Sequence, residues 1–224
     1  MYPARKEDTD FILPGPTKRT TIIGRTGSGK TQFGAWLLSN MDVQTRPWVI
    51  IDYKRDELLN EIPFIREVSY TEKLNKPGLH IVHSLPSEDE QLEKYLLSIW
   101  QRGNTGIYVD EGMMLPDKEA LTALLTQGRS KKIPMIMLSQ RPVDLSRFVF
   151  SESDYFSVFH LNHKLDKKKV EEFTSVNMKQ DVPEYHSRWY DVSRNLTFRL
   201  RPVPDKDTIL DRFEAQLRPR ARLL

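Results

Sequence analysis

The stretch GRTGSGKT, from Gly24 to Thr31, fits the pattern G-x-x-x-x-G-K-[ST] and constrains its surroundings more than any other part of the chain. A short β-prone run, Thr20 to Ile23, precedes it, and helix formers from Lys30 to about Asn40 follow. Gly24, Gly27 and Gly29 permit backbone angles and close approaches that a Cβ blocks. Successive N–H groups can then curl around phosphate oxygens at a helix N-terminus. The pattern therefore demands a strand, a tight loop and a helix in that order, and it implies a nucleotide ligand. The expected nucleotide-binding residues are Gly24, Arg25, Thr26, Gly27, Ser28, Gly29, Lys30, Thr31 and Gln32. Lys30 is expected to reach the β- and γ-phosphates, and the Thr31 hydroxyl to sit on a magnesium ion that bridges them.

The rest of the chain repeats the strand and helix theme. Trp48–Ile51 is expected as a second strand and GLHIVHS as a third. In SEDEQLEKYLLSIWQRGN, Leu92, Tyr95, Leu96, Ile99 and Trp100 recur at helical spacing, with Ser87 as the N-cap and Gly103 as the stop. GIYVDEG reads as a buried strand, LPDKEALTALLTQGRS as an amphipathic helix and IPMIMLSQRP as another strand. Short apolar strands alternating with helices predict a mostly parallel sheet covered on both faces. After about Phe150, YFSVFHL reads as a strand and DKKKVEEFTS as a short helix. RWYDVSRNLTFRLRP reads as a hairpin turning near Arg194 and Asn195, and DKDTILDRFEAQL as a last helix. The expected organisation is an arm at 1–19 carrying Pro3, Pro14 and Pro16, a core at 20–160, a helix, hairpin and helix at 161–217 that complete the same domain, and a basic tail at 218–224.

A phosphate loop implies a nucleotide without implying hydrolysis. Hydrolysis also needs a carboxylate near the metal and a group that positions water. The strand IYVDE ends in two acids, at the end of a parallel sheet where ligands gather. Asp110 is the candidate metal-side acid and Glu111 the residue that orients or deprotonates the attacking water. Gln140 closes the strand MIMLSQ at the same edge, where its amide can feel the γ-phosphate. Arg129 is expected at the flank of the site, reaching the nucleotide of a neighbouring subunit; Arg102 and Arg141 are alternatives for that role.

Composition narrows the class. The 224 residues are 38% hydrophobic and 29% charged, as in a globular protein, and contain no cysteine. Disulfides, thiol catalysis and cysteine-bound zinc are excluded. No apolar run is long enough for a membrane span, and MYPARKEDTD is too polar for a signal peptide, so an intracellular chain is expected. The net charge is only +3, yet basic residues cluster in GRSKK, HKLDKKK and RPRARLL. Clusters of this kind can follow a polyanion. Lys164, Lys167, Lys168 and Lys169 are the candidate nucleic-acid contacts, with Arg218, Arg220 and Arg222 as the rival site.

Taken in order, GRTGSGKT, VIIDYKRDE, IYVDE and TQGRSKKIPMIMLSQRP resemble the FtsK-HerA superfamily of hexameric translocating ATPases. Within it the chain is most similar to the genome-packaging ATPases of tailless, membrane-containing double-stranded DNA viruses. The resemblance covers about residues 20 to 160. It implies a RecA-like core, ATP and magnesium as ligands, a ring of six, and ATP-driven movement of duplex DNA into a preformed capsid. Capsid or packaging-vertex proteins are the implied partners, in the host cytoplasm or at the vertex. By motif position it carries Lys30 and Thr31 to phosphate and magnesium, Asp110 and Glu111 to metal and water, Gln140 to sensing, and Arg129 to the trans arginine. Asp52 and Lys54 match a recurring second-strand element of unspecified task. Three other readings share the phosphate loop: a cellular DNA-transfer or phage-secretion pump, a small-molecule kinase, and a nucleotide switch without hydrolysis. The acid pair at Asp110 and Glu111 favours hydrolysis over the kinase.

Overall fold

The structure is a computed structural model and describes residues 11–218. Pro3, Arg220 and Arg222, and with them most of the expected arm and tail, lie outside the described residues. Nine strands form one sheet in the order β3-β4-β2-β5-β6-β1-β7-β8-β9. They are β1 (Arg19–Ile23), β2 (Pro47–Asp52), β3 (Arg66–Glu67), β4 (Gly78–His83), β5 (Gly106–Asp110), β6 (Met135–Ser139), β7 (Tyr155–Val158), β8 (Ser187–Asp191) and β9 (Leu196–Leu200). The pairs from β3 through β7 are parallel, and β7–β8 and β8–β9 are antiparallel. This is the RecA-like P-loop architecture expected, with the predicted hairpin extending the sheet.

The side-chain period of two sorts the strand residues between two cores. Ile23, Val49, Ile51, Ile107, Val109, Met135 and Met137 face α3 (Asp89–Arg102), α4 (Glu119–Gln127), α5 (Arg147–Glu152) and α6 (Lys164–Phe173). Ile22, Trp48, Ile50, Tyr108, Ile136 and Leu138 face α1 (Lys30–Leu38), α2 (Glu57–Asn60) and α7 (Lys206–Leu217). Every residue of β1, β2, β5, β6 and β7 is buried because helices cover both faces.

Two boundaries differ from expectation. Ser87 is not the cap of α3: a 3-10 turn, Pro86–Glu88, comes first, and Glu88 turns back to accept the Leu85 N–H at 2.9 Å. Helix α1 stops at Leu38 rather than near Asn40, because Ser39 Oγ and Asn40 Nδ2 donate to the Trp36 carbonyl at 2.7 and 2.6 Å. Those side-chain donors satisfy a carbonyl that another helical turn would use.

Strand order positions the site. β5, β6 and β1 are neighbours, so their carboxyl ends deliver Asp110, Gln140 and the Gly24–Thr31 loop to one edge. β2 lies beyond β5, with Asp52 in register with Asp110.

Candidate active site at the carboxyl edge of the sheet

The loop after β1 is tied to both neighbouring strands. Gly24 N–H donates to the Ser139 carbonyl at 3.2 Å and Arg25 N–H to the His160 carbonyl at 3.1 Å. A Cβ on Gly24 would lie 2.6 Å from Phe159 Cβ, so only glycine lets the loop approach β7 this closely. Gly29 begins α1 at φ 93° and offers no side-chain cap. The first N–H groups of this nine-residue helix are therefore left for a ligand. Ser28 Oγ is buried among them with no hydrogen-bond partner.

Lys30 is 6% exposed and donates to the Arg25 carbonyl at 2.9 Å, across its own loop. Burial, with the nearby Lys54 cation, lowers its pKa to about 8 despite the countering fields of Glu111 and Asp110. A phosphate placed here would restore the charged ammonium. Asp110 shows the opposite imbalance. Burial first, then Glu111, Asp56 and Asp52, raise its carboxyl to about 6 in spite of Lys54. Its Oδ2 has no hydrogen-bond partner and its Oδ1 accepts from Thr31 Oγ1 at 3.5 Å. A hydroxyl and an unsatisfied carboxylate oxygen at this separation are hard donors of the kind magnesium takes, with phosphates and water as its other ligands. The residues present fit that ion.

Glu111 adopts a left-handed backbone, φ 72° and ψ 65°, uncommon for a residue with a side chain. Its side chain is buried, and Oε1 accepts from both Lys54 Nζ and Gln140 Nε2. Gln140 in turn accepts from Thr26 Oγ1 in the phosphate loop. A chain of contacts thus runs Thr26, Gln140, Glu111, Lys54, linking β1, β6, β5 and β2. Lys54 is held there by Asp52, which is buried and accepts the Lys54 and Asp56 N–H groups and Asn60 Nδ2. Sequence reasoning marked Asp52 and Lys54 without a task. The structure makes Asp52 the staple of the β2–α2 turn and Lys54 the cationic partner of Glu111. The signal available was a polar run closing a strand of the same sheet.

Arg129 is not at the flank of the site. It lies at the opposite, amino edge of the sheet, its Nη2 2.6 Å from Asp154 Oδ1. Lys18 Nζ is 2.9 Å from the same oxygen and the Arg19 N–H donates to Oδ2 at 2.9 Å. The turn after α4 returns to the start of β6, so it must lie at that end. Arg141, beside Gln140, is exposed and 3.1 Å from Asp144, and Arg102 donates to Thr105 Oγ1 at the amino edge.

The lysines of α6 also divide. Lys167 Nζ lies 3.9 Å from Asp181, and Lys169 Nζ sits over the Phe173 and Phe150 rings at 5.1 and 5.4 Å. Lys164 and Lys168 are exposed, one helical turn apart. Asp166, buried between them, accepts the Val143 N–H at 3.2 Å and fixes the start of α6 against the loop that follows Gln140. Arg218 pairs with Glu214 at 2.6 Å.

No family model matches the chain. Over 214 residues it is 41% identical to the DNA packaging ATPase P9 of Enterobacteria phage PRD1, an alignment covering 90% of this chain and 94% of that protein. Among solved structures, the genome packaging NTPase B204 of Sulfolobus turreted icosahedral virus 2, in complex with AMPPCP, is similar with a TM-score of 0.68 at 19% identity, over 85% of this chain and 100% of the other. EssC, ATPases 2 and 3, from Geobacillus thermodenitrificans has a TM-score of 0.63 at 11% identity, over 89% of this chain and 44% of the other. At these identities the two structures speak to the fold.

Proposed function

The chain belongs to the family of viral DNA packaging ATPases, and from that premise we propose that it hydrolyses ATP with magnesium to drive duplex DNA into a preformed capsid. The observation that carries the hydrolytic part is the shared edge, where an uncapped phosphate loop, the Thr31–Asp110 oxygen pair and Glu111 come together. The loop N–H groups and Lys30 hold the β- and γ-phosphates. Thr31 and Asp110 hold the magnesium ion, which when bound neutralises phosphate charge. Glu111 orients a water and takes its proton as the oxygen attacks γ-phosphorus, while the bond from γ-phosphorus to the β-γ bridging oxygen breaks and ADP leaves.

Gln140 bridges Thr26 and Glu111, so loss of the γ-phosphate can be felt at both. Lys54 and Gln140 both hold Glu111 by Oε1, which leaves Oε2 for the water. The working assembly is a homo-oligomeric ring, hexameric by resemblance, docked at a packaging vertex. Arg129, paired with Asp154 at the amino edge, is the residue proposed to reach a neighbour's nucleotide, with Arg141 as the competitor. Among the described residues no helix is long and apolar enough to cross a membrane.

The test is steady-state ATP turnover with and without duplex DNA, together with the mass of the nucleotide-bound assembly. DNA-stimulated turnover by a hexamer is expected. Turnover indifferent to DNA, from a monomer, would sink the motor reading. Mixing Arg129→Ala with Glu111→Gln subunits assigns the arginine: restored turnover in mixed rings places it in trans, and inactive mixtures under proven subunit exchange exclude it.

A further inference from the structure

On the face of the sheet that α3 to α6 cover, one row of residues changes character as it leaves the core. Ile23 on β1 stands opposite Val158 on β7, Val158 opposite Arg188 on β8, and Arg188 opposite Arg199 on β9. Ile23 and Val158 are apolar and fully buried, whereas Arg188 is half-buried and Arg199 exposed. The helices that bury the row over β1 and β7 therefore stop short of β9. The row ends in two like charges on a bare face.

Like charges directly opposite one another destabilise an antiparallel pair. This pair is not neutralised locally. Arg188 Nη2 donates to the Gln180 and Asp181 carbonyls, which carry no net charge, and among the described residues no carboxylate pairs with Arg199. Burial, with Arg199 alongside, pushes the Arg188 guanidinium below its ordinary pKa against the pull of Asp181. Val158 closes β7, so the two arginines lie at the carboxyl end of the sheet, the end that carries the phosphate loop. There they adjoin α6. Asp181, whose carbonyl takes Arg188, turns its carboxylate to His160 Nδ1 at 3.3 Å and Lys167 Nζ at 3.9 Å, and so bridges the ribbon and the helix. Lys164 and Lys168 are exposed on that helix, while Glu171 and Glu172 lie further along it, toward the amino edge.

We infer that the Arg188 and Arg199 face of the β8–β9 ribbon is a contact surface for the phosphate backbone of duplex DNA, continuous with the exposed lysines of α6. The inference rests on duplex DNA being the cargo of this ATPase. Two guanidinium groups held side by side repel until anions reach them. Each planar fork can take a phosphate by two parallel hydrogen bonds, so neighbouring phosphates on one strand turn the repulsion into charge-assisted contacts. A duplex presents such phosphates whatever its sequence, as a cargo of any sequence requires.

The test measures the affinity of the full chain for a duplex of mixed sequence over a range of salt, by fluorescence anisotropy. Replacing Arg188 and Arg199 together with Gln should flatten the slope of log affinity against log salt by about 2, and the ratio of turnover with DNA to turnover without it should fall toward one. Arg199→Lys, which keeps the charge, should keep the slope. Arg199→Glu separates binding from folding, because it sets opposite charges across the ribbon. Its unfolding in urea should come no earlier than the parent's, while duplex affinity falls about tenfold or more. A double variant with the parental slope, or an Arg199→Glu protein that loses stability in step with affinity, overturns the inference. Failure of the motor reading looks different. The unaltered protein would then neither bind duplex nor change its turnover with it, and this surface would fall together with that reading.

Discussion

Both edges of the sheet carry charged groups and treat them in opposite ways. At the amino edge the partly buried Asp154 meets Lys18, Arg129 and the Arg19 N–H, all within 2.9 Å. At the carboxyl edge Asp110 keeps an oxygen without a partner, Lys30 is held below its ordinary pKa, and Glu111 sits on a strained backbone. One edge is neutralised by the chain itself, the other awaits a polyanion and a cation. An edge that closes its own ion pairs contributes stability, whereas one that leaves them open gives up stability for binding.

The sharpest break between the edges is catalytic. Glu111→Gln should bind ATP and lose turnover by about a hundredfold or more, the range for loss of a general base. Parental turnover in that variant would remove Glu111 from the water-positioning role and with it the distinction between the edges.

The complementary change at the amino edge is structural. Asp154→Ala removes the common partner of Lys18 and Arg129 and leaves the buried Arg19 with Glu152, 3.6 Å away, as its carboxylate, so stability against urea should fall by about 1–2 kcal/mol. Turnover per folded subunit should stay within about twofold. If turnover falls as far as in Arg129→Ala, Asp154 is aiming that arginine at a neighbour and the amino edge is catalytic too.

Asp110→Asn sharpens the comparison from the other side. The Asp110 carboxyl sits near 6 in the folded chain against 3.8 for its ordinary value. Because the folded value is raised, ionisation opposes folding: the cost is absent below about pH 4, grows as pH rises toward 6, and is complete above that. A shift of this size corresponds to about 2–3 kcal/mol. Asn, always neutral, should make the ligand-free protein more stable at pH 8 by up to that amount and equal to the parent near pH 4, while abolishing magnesium-dependent turnover. Equal stability at both pH values would mean the acid is already compensated.

The difference between the edges was half legible in the sequence. GRTGSGKT and IYVDE announce the open edge because phosphate and metal chemistry need those residue types next to one another along the chain, and the all-apolar strands announce a covered parallel sheet. The ion pairs were not legible. Asp154 meets Arg129 and Lys18 only because β7, β1 and the turn before β6 start side by side, and Lys54 meets Glu111 only because β2 lies beside β5. Arg129, expected at the flank of the site because it follows a helix and precedes the Met135–Ser139 strand, lies at the other end of that strand. The short α2, α5 and two-residue β3 lack enough turns or pleats to show a period.

The smallest expected effect concerns DNA. The start of α6 is anchored to the loop after Gln140, which places Lys164 and Lys168 on the open edge as exposed charges, while Lys167 and Lys169 are engaged with Asp181 and with the Phe150 and Phe173 rings. Each phosphate neutralised in duplex DNA adds about 0.9 to the slope of log affinity against log salt. Replacing Lys164 and Lys168 together with Gln should therefore flatten that slope by about 2 and uncouple turnover from DNA. The Lys167 and Lys169 double replacement should leave the slope unchanged and cost a little stability instead. Truncation after Leu217 removes Arg218 and the tail arginines Arg220 and Arg222, and should weaken affinity while DNA still stimulates turnover. If the truncation alone abolishes stimulation and the Lys164 and Lys168 variant behaves as the parent, the DNA track runs over the tail, and the open edge handles nucleotide only.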